Sequence, residues 1–463
     1  MRTETPSRLK IESNFRLAES SVELHWPSCI SPVLWSTITA LVLRLGIIFL
    51  FHTYQLQTRI LNSKWIPAAT RHFAFGFETG SIAGSLASGH GFSSPFGFPT
   101  GPTAWIAPVY PGLCVVVFKI FGLYTTASAI VILSLNCVFA ALTCVPIYLL
   151  ALRIFGKRTA TLSIWTWAVC VFFMRWPTTW IWEVSLSALL LGVLVLLSLD
   201  APTSDGQKKF VLLGCLWGFA AITNPSLLGA MPFLLAWIAF QRRRCLRPWF
   251  KPVLTVVLIC FGFMLPWFLR NWVVMGHPVF IRDNFGFEFY LGNYHGSNGL
   301  GYLGKHPTQN IKQLRLYSQL GELGYVHHFK SEGLQFVREH PEEFALLTAR
   351  RMVTFWDGGM VNYQSPGFWH WQSWELLCLA VPAFFGLALA LGQRKRGALL
   401  LAFVVLLYPA PYYLTYAEER YRHAIEPELL ILACYFACAL WEHACERFRR
   451  QSLSPAAYEE AAR

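Results

Sequence analysis

The chain has 463 residues, 55% of them hydrophobic, 16% aromatic and 14% charged, with a formal net charge of +13. Soluble domains carry about 25% charged residues. Here the deficit falls in long apolar runs, which excludes an ordinary soluble enzyme and points to an all-α polytopic membrane protein. The basic residues sit in short clusters beside those runs, the pattern of cytoplasmic loops, so no nucleic-acid partner is expected.

The chain is polar until about Pro27, and no small-residue cleavage site follows the first apolar run, Pro32 to Phe51. That run is expected to be a retained span and not a cleaved signal. Most of the 12 cysteines fall inside apolar runs, where they behave as small hydrophobes. With no CxxC and no Cys/His ligand spacing, neither a disulfide framework nor a zinc site is indicated.

A helix crosses a bilayer in about 20 apolar residues. That length marks about ten transmembrane helices, near 33–51, 126–152, 159–175, 182–199, 209–223, 226–240, 252–269, 374–392, 398–414 and 425–442. The pair around Asn224-Pro225 is short for two spans. With this count, Arg153/Lys157/Arg158, Lys208/Lys209, Arg242/Arg243/Arg244/Arg247, Arg394/Lys395/Arg396 and Arg447/Arg449/Arg450 fall on one side. Both termini are then cytoplasmic, in a plasma or inner membrane surrounded by its lipids.

Val109 to Gly122 is apolar but short, and it contains Pro111 and Lys119, so it reads as an interfacial or re-entrant helix. The organisation expected is a cytoplasmic segment 1–31, an N-terminal transmembrane module 32–272 with outer loop 52–125, and a second outer segment 273–372. C-terminal transmembrane helices 373–442 and a cytoplasmic tail 443–463 complete it. Within the second outer segment, Pro341 with Glu342 and Glu343 reads as a helix start. Phe344, Leu347, Met352 and Phe355 of that helix would face membrane or core.

Several residues could carry chemistry. Glu78 is the lone acid of FGFETGSIAGSLASGHGFSSPFGFPTGPTAWIAPVYP, a Gly/Ser-rich outer stretch whose glycines would let a substrate approach. A carboxylate just outside a span is a general-base candidate, against the alternative of a helix N-terminal acid. Glu183 opens a span beside Trp180 and Trp182 in RWPTTWIWEVSLSALL and could bind a polar substrate, against the alternative of a helix N-terminal charge beside an aromatic belt. Arg270 and Asn271 in LPWFLRNW, and Arg420 and Arg422 in YLTYAEERYRHAIEP, are outer residues at span ends. Guanidinium forks suit a phosphodiester. Local pairing with Glu418 and Glu419 is the competing reading. His327, His328 and His423 read as surface residues, FWHWQSW (Phe368 to Trp374) as an interfacial aromatic belt, and Arg44 as a buried charge of unknown partner.

The order of these features resembles the GT-C superfamily of integral-membrane glycosyltransferases. It is nearest the protein O-mannosyltransferases and lipid A aminoarabinose transferases. The resemblance rests on one N-terminal span, FETGSIAGSLASGHGFS, PTAWIAPVYPGL, WIWEVSLSALL, PWFLRNW and RYRHAIEP, in that order. It implies a sugar donor on a polyprenyl phosphate and an inverting transfer to a lipid, glycan or protein acceptor at the outer face. Glu78 would then deprotonate the acceptor. Glu183, Tyr110, Arg270, Asn271, Arg420, Tyr421 and Arg422 would contact the substrates, with the late arginines near the lipid phosphate. Where many members have Asp, often Asp-Glu, this chain has Phe77-Glu78, and Glu183 lacks a paired carboxylate. No cofactor is indicated, a divalent metal being left open. A transporter or flippase of lipid-linked sugars, and an inactive scaffold, are the rival readings. Transporters favour midplane polar residues and internal repeats, whereas the acids here cluster at the outer edge.

Overall fold

The structure is a computed structural model and describes residues 26–56, 74–204, 206–300, 303–358 and 371–452. Most of the expected segment 1–31, residues 57–73 of the first outer loop, the start of the FWHWQSW run and the tail beyond Ser452 lie outside the described residues. Helices make up the fold, with no strand among the described residues. Each of the ten stretches expected to span is helical over most of its length. Among the described residues, six helices are long and apolar enough to cross a membrane: Ser31–Leu50, Thr126–Phe155, Val184–Thr203, Phe250–Met275, Trp374–Gly392 and Glu419–Arg449. The other four are shorter or broken.

The breaks have local causes. The run expected at 159–175 is helical only over Lys157–Val169, because Cys170 turns extended (φ −73°, ψ 121°) before a short 3-10 turn. The 207–244 pair is divided at Asn224, also extended, followed by Pro225. The 398–414 run divides into Ala398–Leu407 and Ala410–Leu414 at Pro409. Each break leaves backbone carbonyls without intrahelical partners in a poorly hydrated interior, where an unsatisfied carbonyl is costly.

Buried arginines satisfy several of them. Arg44, fully buried in the first span, donates to Trp167 O (2.9 Å), Ala168 O and Phe173 O (each 3.3 Å), closing the broken end of Lys157–Val169. The sequence left this arginine without a partner; the partners are carbonyls about 125 residues away in the chain. Arg242 donates to Pro248 O (2.7 Å) and Ser204 O (2.6 Å), so part of the supposed cytoplasmic cluster is structural.

The described parts of the two segments expected outside, 52–125 and 273–372, fold against each other. Val109–Phe121 is a helix of 13 residues closed by Gly122. Ile311–Glu339 is a long helix kinked at Gly321, and Pro341–Asp357 begins where proline and two acids place it. Of its four apolar positions, Leu347 and Phe355 are buried and Met352 is exposed. Glu322 ties the long helix to the first outer loop: Oε1 accepts Ala104 N–H at 2.6 Å, and Oε2 accepts the hydroxyls of Thr103 and Tyr317. His423 is a correction. Expected on a solvated surface, it is fully buried, its Nδ1 2.6 Å from Glu426 and its ring over Trp167.

Arg351 closes the outer layer. It donates to Tyr413 O (2.7 Å), Gly292 O (2.9 Å), Thr415 O (3.0 Å) and Asn293 Oδ1 (3.1 Å). Burial lowers its pKa only to about 10, so it stays charged at neutral pH. Arg351→Met keeps the stem and removes every donor. Each buried carbonyl left unpaired costs about 1–3 kcal/mol. The unfolding midpoint of the purified protein in detergent should therefore fall well below that of the wild type, and an unchanged midpoint would refute this role.

Candidate active site

The two outer segments and the broken spans enclose a cavity of about 430 Å³. Its floor and walls come from far-separated stretches, with Glu78, Tyr110, Glu183, Arg282, Glu288, His306, Arg420 and Tyr421 among the lining residues. Five residues singled out in the sequence thus line one space: Glu78, Tyr110, Glu183, Arg420 and Tyr421.

Glu78 opens the helix Glu78–Ala87, so it is a helix N-terminal acid as well as a cavity group. A strained turn aims it. Gly76 has φ +88°, and a Cβ there would meet Ile181 O at 2.1 Å. Phe77 follows with φ +55°, a conformation that a bulky residue rarely holds unless its surroundings impose it. The Phe77 ring stacks with Trp180 (6.4 Å) and Trp182 (6.3 Å), themselves parallel at 4.6 Å. The acid of the first outer loop is therefore locked to the loop that carries Glu183.

Of the neighbouring glycines, Gly84 serves packing: a Cβ there would strike the Tyr124 hydroxyl at 1.8 Å, and that hydroxyl donates to Gly80 O at 2.9 Å. Gly89 and Gly91 face open space, where a Cβ would meet nothing within 4 Å.

Burial pushes the Glu78 carboxyl up to about 7. Its own backbone N–H, Arg420 and Arg282 oppose the rise, and Glu288 adds to it. A carboxylate with a pKa near neutrality is suited to take and hold a proton. His306 Nε2 lies 3.4 Å from Glu78 Oε1. Arg420 stands over Trp182 at 4.3 Å, with Nε 2.7 Å from Glu418 Oε2 and Nη2 donating to the Tyr421 hydroxyl at 3.3 Å. Tyr421 donates in turn to Tyr416 and stacks on Tyr412 at 4.3 Å. Arg282 is anchored by Nε donating to Trp105 O at 3.1 Å, and Glu288 accepts from Asn284 at 2.7 Å. Tyr110 spends its hydroxyl on Asn136 (2.8 Å), which donates to Trp180 O (3.1 Å) and so steadies the tryptophan loop.

Three sequence candidates stand elsewhere. Arg270 donates to Thr103 O and Phe92 O, each at 2.7 Å, and packs on Trp267 and Phe92. Asn271 is fully buried and donates to Val279 O at 3.1 Å. Arg422 is buried, donates to Leu376 O (2.9 Å) and Trp356 O (3.3 Å), and faces Glu426 at 3.9 Å. Arg270 and Asn271 spend these donors on backbone, Arg422 keeps Nε and Nη2 buried without a hydrogen-bond partner among the described residues, and none of the three lines the cavity. Conversely, Arg282, Glu288 and His306 line it without having been singled out; only their place in an outer segment marked them. Among the described residues no group of three His, Cys, Asp or Glu side chains is placed to hold a metal ion.

Gly76→Ala tests the turn. It forces a Cβ into Ile181 O and an L residue into a left-handed conformation, so Glu78 must move. Misplacement by about 1 Å can cost about 10²-fold in rate. Activity should fall at least tenfold while the protein still purifies from membranes; retained activity would show that the turn does not set the acid's position.

Residues 106–267 match the family model described as dolichyl-phosphate-mannose-protein mannosyltransferase. Comparison with curated proteins returns no match. Among solved structures the chain is similar to the oligosaccharyltransferase AglB from Archaeoglobus fulgidus, in complex with an inhibitory peptide and a dolichol-phosphate. The identity is 14% and the TM-score 0.49, over 94% of this chain and 53% of that one. It is also similar to ArnT from Cupriavidus metallidurans bound to undecaprenyl phosphate, at 14% identity and TM-score 0.35, over 89% of this chain and 81% of that one. The chain thus spans about half the length of the oligosaccharyltransferase. The family match thus covers residues 106–267, about a third of an all-helical chain whose described residues include six helices long and apolar enough to cross a membrane.

Proposed function

We propose that this protein transfers a sugar from a polyprenyl-phosphate-linked donor to an acceptor hydroxyl at the outer membrane face, with inversion and with Glu78 as general base. The observation that carries the reading is a carboxyl near pKa 7 sharing one cavity with two guanidinium groups, Arg282 and Arg420. The acceptor oxygen attacks the anomeric carbon and its proton passes to Glu78. The bond from that carbon to the phosphate oxygen breaks on the opposite side, and the leaving phosphate takes the electron pair. A phosphate leaves without acid catalysis when cations stabilise its charge, which is the role assigned to Arg420 and Arg282. Glu183, at the tryptophan end of the cavity, is assigned to hydroxyls of the sugar or acceptor. Arg270, Asn271 and Arg422 are not carried into this reading, because none of them lines the cavity.

The donor is to be identified by mass spectrometry of lipid-linked sugars in cells lacking the protein. With that donor, Glu78→Gln should lower turnover by about 10²–10⁴-fold, the usual worth of a general base, and leave donor binding intact. Arg420→Ala should weaken donor binding. A raised carboxyl pKa means that the base is protonated below about 7, so the wild-type rate should fall as pH drops through that value. Loss of donor binding in Glu78→Gln with normal binding in Arg420→Ala would reverse the two roles.

The topology is proposed with ten crossings, both termini cytoplasmic, and 52–125 and 273–372 outside. Reporters fused after Arg244 and Lys395 should report cytoplasm, and those at Ser94 and Gly304 the outside. A cytoplasmic signal at Ser94 would place Glu78 on the wrong face and overturn the assignment.

A further inference from the structure

The transfer just described gives no task to His306, which lines the same cavity. His306 packs edge-on against Phe96 (5.6 Å) and Trp105 (6.1 Å) and beside Phe287 (5.5 Å). Its side chain is 8% exposed, and its Nε2 is the ring nitrogen that faces Glu78. On the other side of the ring, Nδ1 accepts the backbone N–H of Thr308 (3.3 Å) and lies 2.7 Å from the Thr308 hydroxyl. A ring nitrogen that accepts a backbone N–H carries no proton. The neutral ring therefore bears its proton on Nε2, aimed at the carboxyl. Burial, reinforced by Arg420, pushes the His306 pKa down to about 3, so the ring stays neutral while Glu78 titrates.

We propose that His306 is a positioning residue for the base: its Nε2–H holds Oε1 of Glu78 and favours the ionised carboxylate, leaving Oε2 to receive the acceptor proton. The inference rests on Glu78 being the base. The present 3.4 Å is long for a hydrogen bond, as catalytic contacts in unliganded sites often are. The other charged groups acting on Glu78 come from different elements. Arg420 and Arg282 favour its ionised form and Glu288 disfavours it, while Glu183 and Glu418 line the same cavity. None of these is altered in the variants below.

The test is an infrared pH titration of the Glu78 carboxyl in the full-length protein in lipid nanodiscs. The Glu78 band is the one lost in Glu78→Gln. Removing a donor to the charged form raises a carboxyl pKa. His306→Phe should therefore move the midpoint up by about one pH unit, and move the acid limb of the transfer rate with it. His306→Gln, whose amide nitrogen reaches the place of Nε2, should return both toward wild type. Should His306→Phe not fold, His306→Asn, whose shorter amide withdraws the donor, carries the same expectation. An unmoved midpoint in a folded Phe or Asn variant overturns the inference, and so does a Gln variant displaced as far as Phe. Full turnover in Glu78→Gln with a midpoint that still moves in His306→Phe would remove Glu78 as base and leave its coupling to His306 standing. An unmoved midpoint with an inactive Glu78→Gln would remove the role of His306 alone.

Discussion

Unpaired backbone carbonyls in a poorly hydrated interior are the constraint on which this structure depends. Apolar side chains can be placed freely among lipid and neighbouring helices, but a helix that stops leaves carbonyls that must be answered. The chain answers them with guanidinium groups. Arg44, Arg242, Arg270, Arg282, Arg351 and Arg422 each donate to carbonyls outside their own helical turn. Arginine suits the task because its five donors form a fixed fork and its charge survives burial. Burying a charge without an acid beside it is expensive, and several aligned carbonyl dipoles offset that cost.

This arrangement makes the cavity possible. A membrane bundle of unbroken helices has no polar space between its spans. Here the breaks at Cys170, Asn224 and Pro409 let short segments turn aside, and the segments around Trp182, Ser226 and Tyr412 line the opening. Arg351 fixes the Gly292 end of the helix that carries Glu288 to the Tyr413–Thr415 stretch that leads to Arg420. The contact is close enough that a Cβ on Gly292 would meet Thr415 O at 1.8 Å. Strain at Phe77 is held by stacking on two tryptophans, so packing energy is used to aim an acid into the cavity. The raised pKa of Glu78 follows from that enclosure.

The helical, membrane-spanning character was legible because hydropathy and length report it directly, and Pro341 marked a helix start through local chemistry alone. Glu78 and Glu183 were legible for a different reason: an acid in an otherwise apolar or Gly/Ser-rich stretch has no local partner to explain it. The arginines were harder. Arg270 and Arg422 carry the fork that a phosphate would want, yet the acceptors that occupy it are carbonyls of Thr103, Phe92, Leu376 and Trp356. Carbonyls are present at every position and leave no mark in a sequence. His306 and Arg282 were illegible because their meaning is the company they keep: each is more than 200 residues from Glu78 in the chain. Gly76 and Gly84 misled in the opposite way, since a missing Cβ admits a tyrosine or a carbonyl as readily as a substrate.

The same enclosure bears on how the proposed transfer would be paced. A phosphodiester donor carries one negative charge and ionised Glu78 another. After transfer the phosphate can carry two, and Glu78, protonated, carries none. The cavity's net charge is thus unchanged across the chemical step, so a low-dielectric space demands no large reorganisation while the bonds exchange. In the proposed step the proton would rest on the carboxyl, with the phosphate dianion beside Arg420 and Arg282. That state favours the product complex. Its release would require the proton of Glu78 to reach solvent and Arg420 to pair again with Glu418, whose Oε2 lies 2.7 Å from its Nε. Glu418, which looks adverse in an anion site, would then compete with the leaving phosphate for its cation, and Glu288, on whose charge Arg282 and Arg420 both act, would do the same.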